Sequence, residues 1–176
     1  MRIIVATLAF ALASCGPNLG THRLVSARSA SELPAAVSHS RHDPGYVVLT
    51  FAADADLNAE DINALYAKAR DCDGSGAGRM TAFGPFTDAV APNDLPMRGD
   101  RAAVSRYLVY LPVKGEIRGD FGKDGKMPVI GTFDLATNTQ DICFYLEHTG
   151  YPAATRTGMV RVAAPVLKAA IGSRAP

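Results

Sequence analysis

From Tyr46 onward the chain is dominated by short runs that are apolar at every position or at every second one. "YVVLTFAA", Tyr46 to Ala53, is β-branched and aromatic, and long enough for a buried strand. "AVSRYLVYLPV" alternates, with Tyr107, Val109 and Leu111 on one face and Leu108 and Tyr110 on the other. "GEIRGDFG" follows, then the turn "KDGK", whose Asp124-Gly125 pair is a hairpin signal. "MPVIGTFDLA", the turn "TNTQ" and "DICFYLEHTG" continue an antiparallel meander. "RMTAFGPF" and "TGMVRV" supply further strands. Pro165 suits the first turn of a closing helix, "PVLKAAIG", which Gly172 stops.

One segment changes period. In "DADLNAEDINALYAKARDC", Ile62, Leu65, Tyr66 and Ala69 recur at helical spacing. Asn58 is a good N-cap, Glu60 and Asp61 fall in the first turn, and Lys68 and Arg70 in the last, as the helix dipole prefers. The pattern predicts a helix over about 59–71. The expected fold is mainly β: an antiparallel β-sandwich with one crossing helix and a short C-terminal helix. An α+β arrangement, with the helix on one face of an antiparallel sheet, is the alternative.

The first residues carry an address. In "MRIIVATLAFALASCG", Arg2 precedes an apolar run, Ile3 to Ala13, about half the ~20 residues needed to span a bilayer. It ends in Leu12-Ala13-Ser14-Cys15, which resembles the lipobox of bacterial lipoproteins. That resemblance covers residues 1–16 alone. It implies cleavage before Cys15, lipid on that cysteine, and a membrane partner reached through the lipid. Gly16 in place of Asp resembles the outer-membrane sorting class. Ordinary cleavage after Ala13 also fits the small-x-small rule. The expected division is residues 1–14 as signal peptide, 15–44 as lipidated N-terminus and flexible tether, and 45–176 as a single β-rich domain.

Cysteine arithmetic agrees with lipidation. Of three cysteines, lipid on Cys15 leaves Cys72 and Cys143 as an even pair in an oxidising compartment. A bridge between them is expected, with two separate buried thiols as the alternative. Removing residues 1–14 takes away Arg2 and no acid, leaving 17 basic and 17 acidic residues. No basic run stands out along the chain, so no nucleic-acid partner is expected.

Candidate chemistry is sparse. "RDCDGSGAGRM" places Asp71, Asp73 and Ser75 at the first, third and fifth places of a calcium loop, with Gly76 at the sixth. Arg79 and Ala82 then stand where further ligands belong, so the stretch reads as a glycine-rich exit from the helix. Asp54, Asp56 and Asn58 read as capping residues. Arg98-Gly99-Asp100 is a three-residue coincidence with an adhesion motif. His39, His42 and Asp43 lie within five residues and could hold zinc or copper, with Glu147-His148 joining from a strand end. No local nucleophile or phosphate-loop motif is present, so no catalytic residue and no cofactor is named. The expected function is a non-catalytic binding or assembly module of the cell envelope with envelope protein partners. The alternatives are a small-ligand or metal-binding lipoprotein and an envelope hydrolase.

Overall fold

The structure, a computed structural model, describes residues 16–34, 45–57, 64–73, 78–86, 106–123, 125–150 and 154–173. Two antiparallel sheets and one helix account for its regular elements. The first sheet runs in the order β1 (His22–Ala30), β2 (Tyr46–Ala53), β6 (Arg106–Pro112), β5 (Phe83–Phe86). The second runs β10 (Thr155–Arg156), β9 (Ile142–His148), β3 (Leu65–Asp71), β4 (Arg79–Met80), β7 (Lys114–Arg118), β8 (Val129–Asp134), and β11 (Val160–Val162) also pairs with β9.

The strand alternation builds the core. Val47, Leu49 and Phe51 of β2 and Tyr107, Val109 and Leu111 of β6 meet Leu65, Ala67 and Ala69 of β3 and Ile142, Phe144 and Leu146 of β9. This is the expected sandwich, and the two faces of β6 are divided as the pattern predicts. The outward side chains of the four-stranded sheet, Tyr46, Val48, Phe86 and Tyr110, form a second buried apolar cluster, joined by Leu33.

The closing helix α1 (Ala164–Gly172) has Pro165 in its first turn and sets Leu167 and Ala170 into the core. Asp141 braces its start: one carboxylate oxygen accepts from the Ala164 N–H at 2.9 Å, the other from Arg161 at 2.5 Å. The Ala164 N–H, and then Arg161, hold this carboxyl below the usual carboxylate range. The β7–β8 connection closes with Gly122 N–H to Lys126 O at 2.8 Å, and Gly125 takes φ +73°, a conformation the predicted Asp-Gly turn needs.

Two expectations are overturned. Where a helix was expected, Leu65–Asp71 is a strand, in register with β9 from Leu65↔His148 to Asp71↔Ile142. Leu65 and Ala69 satisfy both periods. Pairing along seven residues decides for period 2, which buries Leu65, Ala67 and Ala69 and turns Tyr66 outward, 49% exposed. The expected tether is also partly structured. His22–Ala30 pairs along β2, with a register shift between Leu24 and Ser26. Leu24 and Ala27 both pack on the core; the irregularity moves the inward phase from even to odd positions and hides the strand from a period-2 search.

The entry to β1 is locked by hydrogen bonds. Asp54 accepts from the Thr21 N–H at 2.6 Å and hydroxyl at 2.5 Å. His22 Nε2–H donates to the Leu19 carbonyl at 2.7 Å, leaving Nδ1 to accept from the Tyr107 hydroxyl at 2.9 Å. Burial pushes the His22 imidazole below its ordinary value, against the Leu19 carbonyl and the Asp54 charge, which pull it up. As pH falls through the ordinary value of 6.5, the unfolded chain binds a proton that folded His22 resists. Its contribution is therefore full above that pH and is lost as pH falls toward the folded pKa. Urea midpoints should fall over this interval, and less steeply in His22→Asn. Parallel slopes would refute the assignment.

Candidate binding face

Register fixes which side chains share the outer face of the seven-stranded sheet. On β3 these are Tyr66, Lys68 and Arg70, opposite Glu147, Tyr145 and Cys143 of β9. Arg156 of β10 lies opposite Glu147, and Arg161 of β11 opposite Cys143. Arg79 of β4 faces Arg118 of β7; Glu116 and Lys114 of β7 face Thr132 and Asp134 of β8. One face thus gathers seven cations (Lys68, Arg70, Arg79, Lys114, Arg118, Arg156, Arg161) against five carboxylates, Glu116, Asp134 and Glu147 on the strands and Asp120 and Asp141 beside them. The whole chain carries a net charge of +1.

Five of the seven cations meet a carboxylate, Arg161 through Asp141 at 2.5 Å. Glu147 lies 3.9 Å from Lys68 and 4.0 Å from Arg79, which also reaches Asp120 at 3.4 Å. Arg118 pairs with Glu116 at 2.6 Å and Lys114 with Asp134 at 3.1 Å. Among the described residues, Arg70 and Arg156 form no ion pair with a carboxylate; Arg70 donates to the Met159 sulfur at 3.2 Å. Burial pushes the Lys68 ammonium below its ordinary value, Glu147 opposes that shift, and the nearby Arg79 charge adds to it. Lys68 also stands 5.3 Å from the centre of the exposed Tyr66 ring.

A cleft opens in this face because β4 is only two residues long. Met80 pairs with both Ala69 and Ile117; the next residues then cross toward β5 in the other sheet. Beyond Met80, β3 and β7 no longer have a strand between them. The gap is a cleft of about 690 Å³ whose polar wall is Lys68, Arg79, Glu116 and Arg118 and whose apolar wall includes Met80 and Phe83. Cations at the mouth and apolar atoms within suit an anionic group carried on an apolar or extended body.

The residues singled out from the sequence fall as follows. Cys72 and Cys143 lie at disulfide-bonding distance, with Cα atoms 4.8 Å apart. The pair sits on this same face, at the β3–β9 boundary, and staples strand to strand instead of the expected helix to strand. Cys15, the metal candidates His39, His42 and Asp43, and Arg98-Gly99-Asp100 lie outside the described residues. Glu147 and His148 cannot serve one site, because adjacent strand residues face opposite ways: His148 is fully buried on the core side and Glu147 is on the outer face. Asp54 and Asp141 are spent on Thr21 and on the start of α1, and Asp134 on the turn through the Ala136 N–H at 3.0 Å. Among the described residues no three His, Cys, Asp or Glu side chains converge as a metal site, and no helix is long and apolar enough to cross a membrane. Sequence reasoning missed the cationic face because no strand supplies more than two of its cations. Comparison with protein-family models, curated proteins and solved structures finds no match to this chain.

Proposed function

We propose that the protein is a lipid-anchored, non-catalytic binding module of the bacterial cell envelope, sorted to the outer membrane, which engages anionic envelope components through the outer face of its seven-stranded sheet. The lipobox-like segment ending at Cys15 supports the address. One observation carries the binding surface: seven cations against five carboxylates on and beside a single sheet face, with Arg70 and Arg156 without a carboxylate partner among the described residues. Such a concentration raises the local density of anions and steers their approach.

The test uses the mature protein in neutral detergent and immobilised polyphosphate as the polyanion. Retention should be firm at low ionic strength and fall as salt screens the face. Neutralising Lys68, Arg79 and Arg118 together (K68Q/R79Q/R118Q) should weaken it by roughly threefold to a hundredfold, from a few tenths to one kcal/mol per charge. No retention at low salt, or retention that neither salt nor the variant alters, would end the anion-binding reading. Intact mass of the membrane-extracted protein tests the anchor through a diacylglycerol-sized addition at Cys15.

A further inference from the structure

The main chain of β3 and β7 turns hydrogen-bonding groups into the cleft between them. In an antiparallel pair, successive residues direct their N–H and C=O to opposite sides. Cys72 N–H donates to the Asp141 carbonyl at 3.0 Å and Thr149 N–H to the Ala64 carbonyl at 3.0 Å. The even positions of β3 therefore face β9, and Leu65, Ala67 and Ala69 direct their groups toward β4. On β7, the Val113 carbonyl accepts from Leu135 at 2.8 Å, and Gly119 N–H donates to Pro128 at 2.9 Å. Odd positions there serve β8, which leaves Lys114, Glu116 and Arg118 directed toward β4. That strand answers once on each side, Met80 to Ala69 and Arg79 to Arg118. The chain then departs. Among the described residues, no strand pairs with Leu65 and Ala67, or with Lys114 and Glu116, on the cleft side.

Continued register defines what fits. A strand prolonging β4 would lie opposite Lys68 and Glu116 at its first position, Ala67 and Gly115 at its second, and Tyr66 and Lys114 at its third. The first four of these residues line the cleft. Strands two places apart in a sheet are separated by about 9.5 Å, the room that one strand fills. At the second position the side chain points inward, between the small Ala67 and Gly115 and beside Met80 and Phe83. The Phe133 ring lies 2.7 Å from where a Cβ on Gly115 would stand, so that wall is apolar. At the first and third positions the side chains point outward, beside Lys68, Glu116 and Tyr66. We propose that this slot takes an extended peptide segment of a partner protein, apolar at the inward position and polar on either side, which continues β4 antiparallel to both walls. Continuity with the β4 ladder selects this occupant: successive peptide groups would pair alternately with Glu116 and Ala67, which a ligand lacking a peptide main chain cannot do. Main-chain bonds and not charge hold the segment, so the inference goes beyond the anion-binding reading and does not depend on it.

The test uses residues 15–176 with Cys15→Ala, so that no detergent competes for the cleft. The probe is an acetylated, amidated hexapeptide of alternating threonine and valine, neutral throughout. It should bind saturably by calorimetry, and residue-resolved hydrogen exchange should slow at the Leu65, Ala67 and Glu116 amides. N-methylation of a central amide keeps the apolar side chains and removes one donor. It should weaken binding roughly tenfold or more, because a buried carbonyl loses its partner. Glu116→Pro removes a donor that faces the cleft and takes no bond from β8, and it should weaken binding roughly tenfold. Glu116→Ala keeps that N–H and should stay within about twofold. Thermal unfolding confirms that each variant is folded. No binding by the unmethylated peptide, equal binding by the methylated one, or unaltered binding to folded Glu116→Pro overturns the strand assignment. A dimer in sedimentation that protects the same amides without peptide gives the slot to a second copy and overturns the partner. Because the probe is neutral, the polyphosphate result stands or falls by itself.

Discussion

Phe51→Ala is expected to lower the unfolding free energy by about 4 kcal/mol, in the range for emptying a buried aromatic site. Phe51 is 1% exposed and joins the two sheets. Its ring stacks on Tyr107 at 5.3 Å, in register on the neighbouring strand, and lies 5.8 Å from the Phe144 ring across the core. Truncation removes the transfer free energy of the ring and leaves a cavity that two rigid sheets cannot close. Phe51→Leu keeps much of the volume and should cost roughly half as much. Tyr66→Ala is the contrasting variant. In a helix over 59–71 Tyr66 would belong to the buried stripe, whereas on β3 its exposed ring should cost about 0.5 kcal/mol or less. Urea midpoints at unchanged m-value measure all three. A Tyr66→Ala loss equal to that of Phe51→Ala would restore the helix, and a Phe51→Ala loss under about 1 kcal/mol would refute the inter-sheet packing.

Removing the Cys72–Cys143 bridge is the second large effect. The cysteines are 71 residues apart in sequence, and closing such a loop in the unfolded chain is worth about 4 kcal/mol on the chain-entropy model. The β3–β9 pairing spans seven residues without the bridge, so the loss arises mainly in the unfolded state and the folded state persists. Cys72→Ala/Cys143→Ala, or reduction of the native protein, should lower Tm by roughly 10 °C for a chain of this size. Alkylation in denaturant should label neither cysteine before reduction and both after. Full labelling without reductant, or an unchanged Tm after reduction, would remove the staple.

The strands that face the core on one side were legible because their pattern has one explanation. Tyr46–Ala53 coincides with β2, and the alternation of Tyr107 to Leu111 assigns the two faces of β6 correctly. The Asp-Gly turn and the Pro165–Gly172 helix followed from local chemistry that no tertiary contact reversed. The pairing of Cys72 with Cys143 followed from counting. The misread segment failed for a definable reason. Acids ahead of Leu65, cations after it, and apolar residues at 65, 66 and 69 satisfy a helix locally. Local preference is worth a few tenths of a kcal/mol per residue, and a seven-residue register with β9 outweighs it. β1 escaped because an edge strand with a register shift shows no constant period.

Of the candidate surface, almost nothing was visible in one dimension. Lys68 and Arg70, Arg79, Lys114 and Arg118, Arg156 and Arg161 are separated by acids and apolar residues, and the chain as a whole is nearly neutral. The sequence by itself determined the class of fold, most strand positions and the cysteine pair, because each depends on neighbours in sequence or on composition. Only the tertiary structure decided that Leu65–Asp71 pairs as a strand, that the chain after Cys15 is packed against the domain, and that cations from five strands share one face. Those depend on which strands lie side by side, and register between distant segments is set by burying one common core.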